Sequence, residues 1–101
     1  MVIDMAMVHK FYLLNDEASE IGVHDDIIFH HLERFLTVDT FWGGFDKNPT
    51  KGLDYCGYTY IPPESIDELF EAIRGIHEFE ELRELCLIAK KENAWIEHRG
   101  L

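Results

Sequence analysis

Positive charge is scarce in this chain. Nine lysines and arginines stand against twenty aspartates and glutamates, for a formal charge of −11 at pH 7. A surface so poor in bases repels nucleic acid and anionic membrane, and it favours fast association with basic partners. Cysteine is nearly as scarce. Cys56 and Cys86 lie far apart in sequence and fit no metal or redox spacing. Two reduced, mostly buried thiols of a cytosolic protein are therefore expected, not a disulfide framework. No apolar run approaches the ~20 residues that a membrane span requires. The opening MVIDMAMVHKFYLL is apolar, but Asp4, His9 and Lys10 interrupt it. It has no basic leading segment and no small-residue cleavage site, so it reads as mature structure and not as a signal peptide. Internal repeats, linkers, low-complexity segments and nucleophile, metal or phosphate motifs are all missing.

What is present is enough apolar material for one core. With 101 residues, 47% of them apolar and 13% aromatic, the chain has the size and composition of a single packed domain and is too short for two. The acids are grouped. Between Lys10 and Arg34 there is no lysine or arginine, while Asp16, Glu17, Glu20, Asp25, Asp26 and Glu33 accumulate. From Glu64 to Glu84 eight carboxylates face only Arg74 and Arg83. Charge gathered in two blocks has the form of a docking field.

Along the chain, residues 3–14 read as a strand ending at the turn pair Asn15-Asp16, and 16–25 as a loop. Ile28, Leu32, Phe35 and Leu36 recur at helical spacing behind Asp25 and Asp26, which predicts a helix over about 26–36. The succession Ile27-Ile28-Phe29 is equally compatible with a buried strand. Val38 to Phe45 starts extended and ends in a glycine pair, 46–52 is a loop, and 53–61 reads as a central strand.

Two of only three prolines, Pro62 and Pro63, must end that strand, since neither can donate to a ladder. Ser65 and Glu68 have capping-box spacing. Ile66, Leu69, Phe70 and Ile73 form one apolar stripe, and Arg74-Gly75 is a stop signal. A second helix over about 78–92 buries Phe79, Leu82, Cys86 and Ala89, with Asn93 after it. Residues 95–98 alternate as a last strand. The expected architecture is α+β: a single domain with a small, mostly antiparallel sheet, about three helices packed on one face, and the order β-α-β-β-α-α-β.

Candidate chemistry is sparse. Six histidines invite a metal, and His30 follows Asp26 by four residues. A catalytic zinc site needs about three protein ligands, however, and H-E-x-x-H does not occur. Surface or partly buried histidines are the expectation, and no metal or cofactor is assigned. Neither cysteine has the electropositive setting that activates a thiol. No catalytic residue is assigned.

The acidic helical face is the stronger feature. Glu64, Asp67, Glu68 and Glu71, joined by Glu80, Glu81 and Glu84 of the next helix, are expected to line one side of a helical hairpin. Like charges four residues apart cost a few tenths of a kcal/mol each, and a basic partner would offset that cost. Trp42, beside Gly43 and Gly44, is a second candidate contact.

The run GYTYIPPES (57–65), leading into this acidic helix, and the closing W-I-x-H-R-G-L (95–101) resemble small bacterial immunity proteins encoded beside polymorphic or contact-dependent growth-inhibition toxins. The resemblance covers about a sixth of the chain. It implies a cytoplasmic protein, not an enzyme, that binds a cognate toxin domain, often a basic nuclease, as a monomer or weak homodimer. Two other readings remain: a homo-oligomeric regulator with an apolar seam at Trp42, and a small hydrolase or metal-binding enzyme joining His30 or His31 to Asp26 or Glu33.

Overall fold

A computed structural model describes residues 7–43 and 50–101. The chain opens with a hairpin, β1 (Val8–Leu13) and β2 (Asp16–His24). Its turn places Asn15 at φ 67°, a left-handed conformation that asparagine tolerates better than most residues. The register slips between Phe11 and Leu13. There the Ser19 hydroxyl accepts the Leu13 N–H at 2.7 Å and donates to the Asp16 carbonyl at 2.6 Å. A short helix α1 (Asp25–His30) continues into a 3-10 turn at Leu32–Thr37. Then come β3 (Asp39–Trp42), β4 (Thr50–Lys51) and β5 (Tyr58–Ile61). After the 3-10 turn Pro63–Ser65 follow α2 (Ile66–Ala72), the 3-10 turn His77–Phe79, α3 (Glu80–Glu92) and β6 (Ile96–Arg99).

The six strands form one antiparallel sheet in the order β2-β1-β6-β5-β3-β4. Alternation then assigns each side chain to a face. Phe11, Leu13, Val23, Ile61, Ile96 and His98 point to the covered face, where Ile28, Phe35, Leu69, Ile73, Phe79 and Leu82 close the core. Phe35 and Phe79 meet edge to face at 5.7 Å. On the other face Tyr12, Glu97, Tyr60 and Phe41 lie in one row across four strands. Arg99 is laid over the rings of Tyr12 and Tyr58. Among the described residues no helix is long and apolar enough to cross a membrane.

The α+β architecture is as expected, with several local corrections. Residues 16–24, expected as a loop, are the edge strand β2, and Thr50–Lys51, also expected as loop, pairs with Asp39 and Thr40. The observed order is thus β-β-α-β-β-β-α-α-β. Only Tyr58–Ile61 of the expected 53–61 strand is extended. Before it the chain turns, with the Gly57 N–H on the Asp54 carbonyl at 3.1 Å.

The helix expected over 26–36 stops at His30 and tightens into the 3-10 turn. Ser65 makes no side-chain cap, because the 3-10 turn before it holds it at φ −101° and ψ −2°, away from the extended geometry of an N-cap. Cys86 is buried as expected, but Cys56 lies exposed in the 54–57 turn. Residues 1 and 2, residues 3–6 of the first expected strand, Gly44 and Phe45 of the aromatic stretch, and 46–49 of the expected loop lie outside the described residues.

Candidate functional site

Helix α2 is too short to be stable alone; its stripe fixes it. Ile66, Leu69 and Ile73 are buried, and Phe70 is half-buried beneath the Arg83 guanidinium at 4.6 Å. That anchorage turns Glu64, Asp67, Glu68 and Glu71 outward, all exposed. Asp67 meets Lys90 of α3 at 2.6 Å, and Glu71 meets Arg74 at 3.4 Å. Glu64 and Glu68 have no ion-pair partner among the described residues.

Because Asp67, near the start of α2, touches Lys90, near the end of α3, the two helices run antiparallel. Glu80 and Glu81 therefore stand at the opposite end. There they line a separate hollow of about 350 Å³ with Gly22, His24 and His77, and Glu80 lies 3.6 Å from the His77 ring. Glu84 is exposed on α3 between these ends. The seven carboxylates thus do not form one patch: Glu64, Asp67, Glu68 and Glu71 belong to the α2 segment, Glu80 and Glu81 to the start of α3, and Glu84 lies between.

Beside the α2 group lies a cleft of about 440 Å³. Phe41, Pro62 and Trp95 supply its apolar surface, with Phe41 and Trp95 in ring contact at 5.6 Å. Asp39, Glu64 and Glu68 supply carboxylates, and Ser65 completes the lining. These residues converge because β3 and β5 are antiparallel, which sets the start of β3 at Asp39 beside the end of β5 at Pro62, while Trp95 leads into β6. Lys51 on β4 lies 2.5 Å from Asp39, and its pKa is raised first by Asp39 and then by the more distant Glu68 charge. Trp42 is not in this cleft. It points to the other side of β3, donates its indole N–H to the Gly52 carbonyl at 3.0 Å, and is 38% exposed.

A second cluster was not expected from the sequence. His9 Nδ1 faces His98 Nε2 at 2.9 Å, His9 Nε2 faces Asp25 at 3.1 Å, and the Tyr55 hydroxyl donates to the same Asp25 oxygen. At the other end His98 Nδ1 meets the Thr59 hydroxyl at 3.1 Å, and that oxygen accepts the Asp54 N–H at 2.8 Å.

One proton arrangement satisfies every member with both rings neutral. Thr59 donates to His98, His98 to His9, and His9 to the Asp25 carboxylate. Burial pushes the His98 pKa down to about 3, with His9 adding to the shift. Burial also lowers His9 against the opposing pull of Asp25. Hydrogen bonding, first from Tyr55 and then from His9, holds Asp25 below the usual carboxylate range. In turn Asp25 pushes the Tyr55 hydroxyl up to about 12. Both imidazoles are fully buried, and the network reaches the surface only through Asp25 and Tyr55.

The histidines singled out earlier behave differently. His30 is exposed and bonds the Asp26 carbonyl at 2.7 Å, and His31 packs on Phe79. Among the described residues no three His, Cys, Asp or Glu side chains converge on a metal position. Comparison with protein-family models, with curated proteins and with solved structures finds no match in any of the three.

The alternation that found β6 also carried the missed signal. It places His98 on the apolar face with Ile96, and His9 with Phe11, but only the β1–β6 pairing brings the two histidines together.

Proposed function

We propose that this protein is a cytoplasmic binding protein of the immunity type, which docks a basic toxin domain on the α2 surface and blocks the groove in which that domain holds phosphates. The observation that carries this reading is the exposure of Glu64 and Glu68, without ion-pair partners among the described residues, beside the aromatic cleft. Carboxylates left in this state are available to an incoming cation. A nuclease must be basic where it holds phosphate, so an acidic partner gains both on-rate and fit there. The resemblance of 57–65 and 95–101 to immunity proteins points the same way.

The test is binding to the toxin domain encoded beside this gene. Tight association is expected at low salt, with an on-rate that falls as salt rises. Glu64→Gln with Glu68→Gln should weaken it about tenfold or more, the scale of one lost charge-assisted contact. Glu80→Gln with Glu81→Gln should matter less. No binding at low salt, or no protection of cells on co-expression, defeats the proposal.

A further inference from the structure

We infer that the cleft between Phe41, Pro62 and Trp95 receives an arginine side chain from the basic partner. This rests on the docking role and adds which chemical group the surface is shaped to hold. Three independent features of the cleft converge on a guanidinium.

The first is the pairing of an aromatic wall with carboxylates. Phe41 and Trp95 form an aromatic wall, while Asp39, Glu64 and Glu68 surround the same cleft of about 440 Å³. A guanidinium satisfies both at once, stacking its plane on a ring and sending paired N–H donors to a carboxylate. An ammonium is more strongly hydrated and does neither as well.

The second is Ser65. It is only 4% exposed, lines the cleft, and makes no cap bond to the helix it precedes. A buried hydroxyl facing a cleft is a ready acceptor for a guanidinium N–H.

The third is that the chain already sets a cation at the rim. Lys51 extends from β4 to Asp39, with Glu68 near enough to act on its charge. It satisfies Asp39 and leaves Glu64 and Glu68 to the incoming group. Removing Lys51 frees Asp39 as a third carboxylate for the partner's cation, and should strengthen binding.

The experiment is an NMR titration of the ¹⁵N-labelled full chain with tetra-arginine and tetra-lysine peptides of equal charge. Tetra-arginine is expected to move the Trp95 indole and Ser65 amide signals, and to bind about two- to fivefold tighter than tetra-lysine, the size of an exposed cation–π contact. Glu64→Gln with Glu68→Gln should abolish those shifts. Lys51→Ala should tighten tetra-arginine more than Lys10→Ala, which makes the same charge change on β1 across the sheet.

Equal affinity for the two peptides overturns the assignment. So do shifts spread equally over Glu80 and Glu81, and so does an equal effect of the two lysine substitutions. A toxin domain that binds while tetra-arginine leaves the cleft untouched removes the arginine site and leaves the docking role. A cleft that takes tetra-arginine beside a toxin domain that does not bind supports the site and removes the docking role.

Discussion

His9 and His98, 89 residues apart, join ring nitrogen to ring nitrogen at 2.9 Å with neither imidazole exposed. Their bond crosses from β1 to β6, so it reports directly on the middle of the sheet. The neutral chain from Thr59 to Asp25 uses one proton per link, and an added proton on His98 Nδ1 would meet the proton that Thr59 donates there, so that bond would be lost unless the hydroxyl turned away.

Stability should therefore depend on pH in the range where unfolded histidine titrates. Both histidines have lowered pKa values in the folded protein, so the unfolded chain binds protons first as pH falls below about 6.5. By linkage, stability is fully present above that pH and declines below it, continuing for His98 until its folded value of about 3. Between pH 6.5 and 5 the loss from His98 alone should be about 2 kcal/mol. Urea unfolding across this window measures it. His98→Gln should flatten the slope whatever it does to absolute stability; an unchanged slope rejects the account.

The Tyr55 hydroxyl is the strongest single influence on Asp25. In Tyr55→Phe the Asp25 carboxyl should titrate closer to its ordinary value, because the donor that favours the ionised form is gone. Carboxyl ¹³C shifts followed through an acid titration report it. An unmoved Asp25 means that the Tyr55 bond does not form in solution.

Gly100 packs against the 54–57 turn, with its N–H on the Gly57 carbonyl at 2.8 Å and the Leu101 N–H on the Tyr55 carbonyl at 3.0 Å. A Cβ at position 100 would sit 2.2 Å from the Tyr55 carbonyl oxygen, a backbone atom with no rotamer to change. Gly100→Ala should cost about 1–3 kcal/mol and loosen Tyr55 from Asp25. Gly75 has φ +80° and open space around it, so Gly75→Asn meets only the backbone strain of a left-handed residue, which asparagine bears best, and should cost less than Gly100→Ala. Thermal melts of the two variants check the contrast.

The two thiols should separate by reactivity. Cys56 is exposed, whereas burial pushes the Cys86 thiol up to about 12. Since the thiolate is the reactive form, a thiol-specific dye should label one site promptly in the native protein and the second only on unfolding. Prompt labelling of both would mean that α3 opens readily.

The parts of this fold that were legible are those in which local chemistry and tertiary context agree. The proline pair, the α2 stripe, and the alternation at Ile96 and His98 all say in sequence what they do in space. β2 was illegible because it is an edge strand: Asp16, Glu17 and Glu20 face water, and only Ile21 and Val23 record the buried side. Such charged edges also discourage pairing with other chains. Around 53–57 apolar and aromatic residues imitate a strand, but the chain must turn there to bring Tyr55 onto Asp25. Ser65 had the right spacing for a cap, and the proline turn before it took the backbone elsewhere. The acidic residues were plain in the sequence. Their separation along the hairpin followed only from the antiparallel packing of α2 and α3, which the Asp67–Lys90 contact reveals.

The strand order carries a consequence for synthesis. β1 and β6, the first and last strands described, are neighbours inside the sheet. During translation β1 has only β2 to pair with, and β5 keeps one edge bare until residues 96–99 have left the ribosome. The sheet therefore closes in a late step between distant parts of the chain, which makes folding slow relative to a local hairpin. Until then the half-made sheet shows, besides its outer edges, the two inner edges of β1 and β5 to neighbouring nascent chains, and the time spent in that state sets its exposure to aggregation.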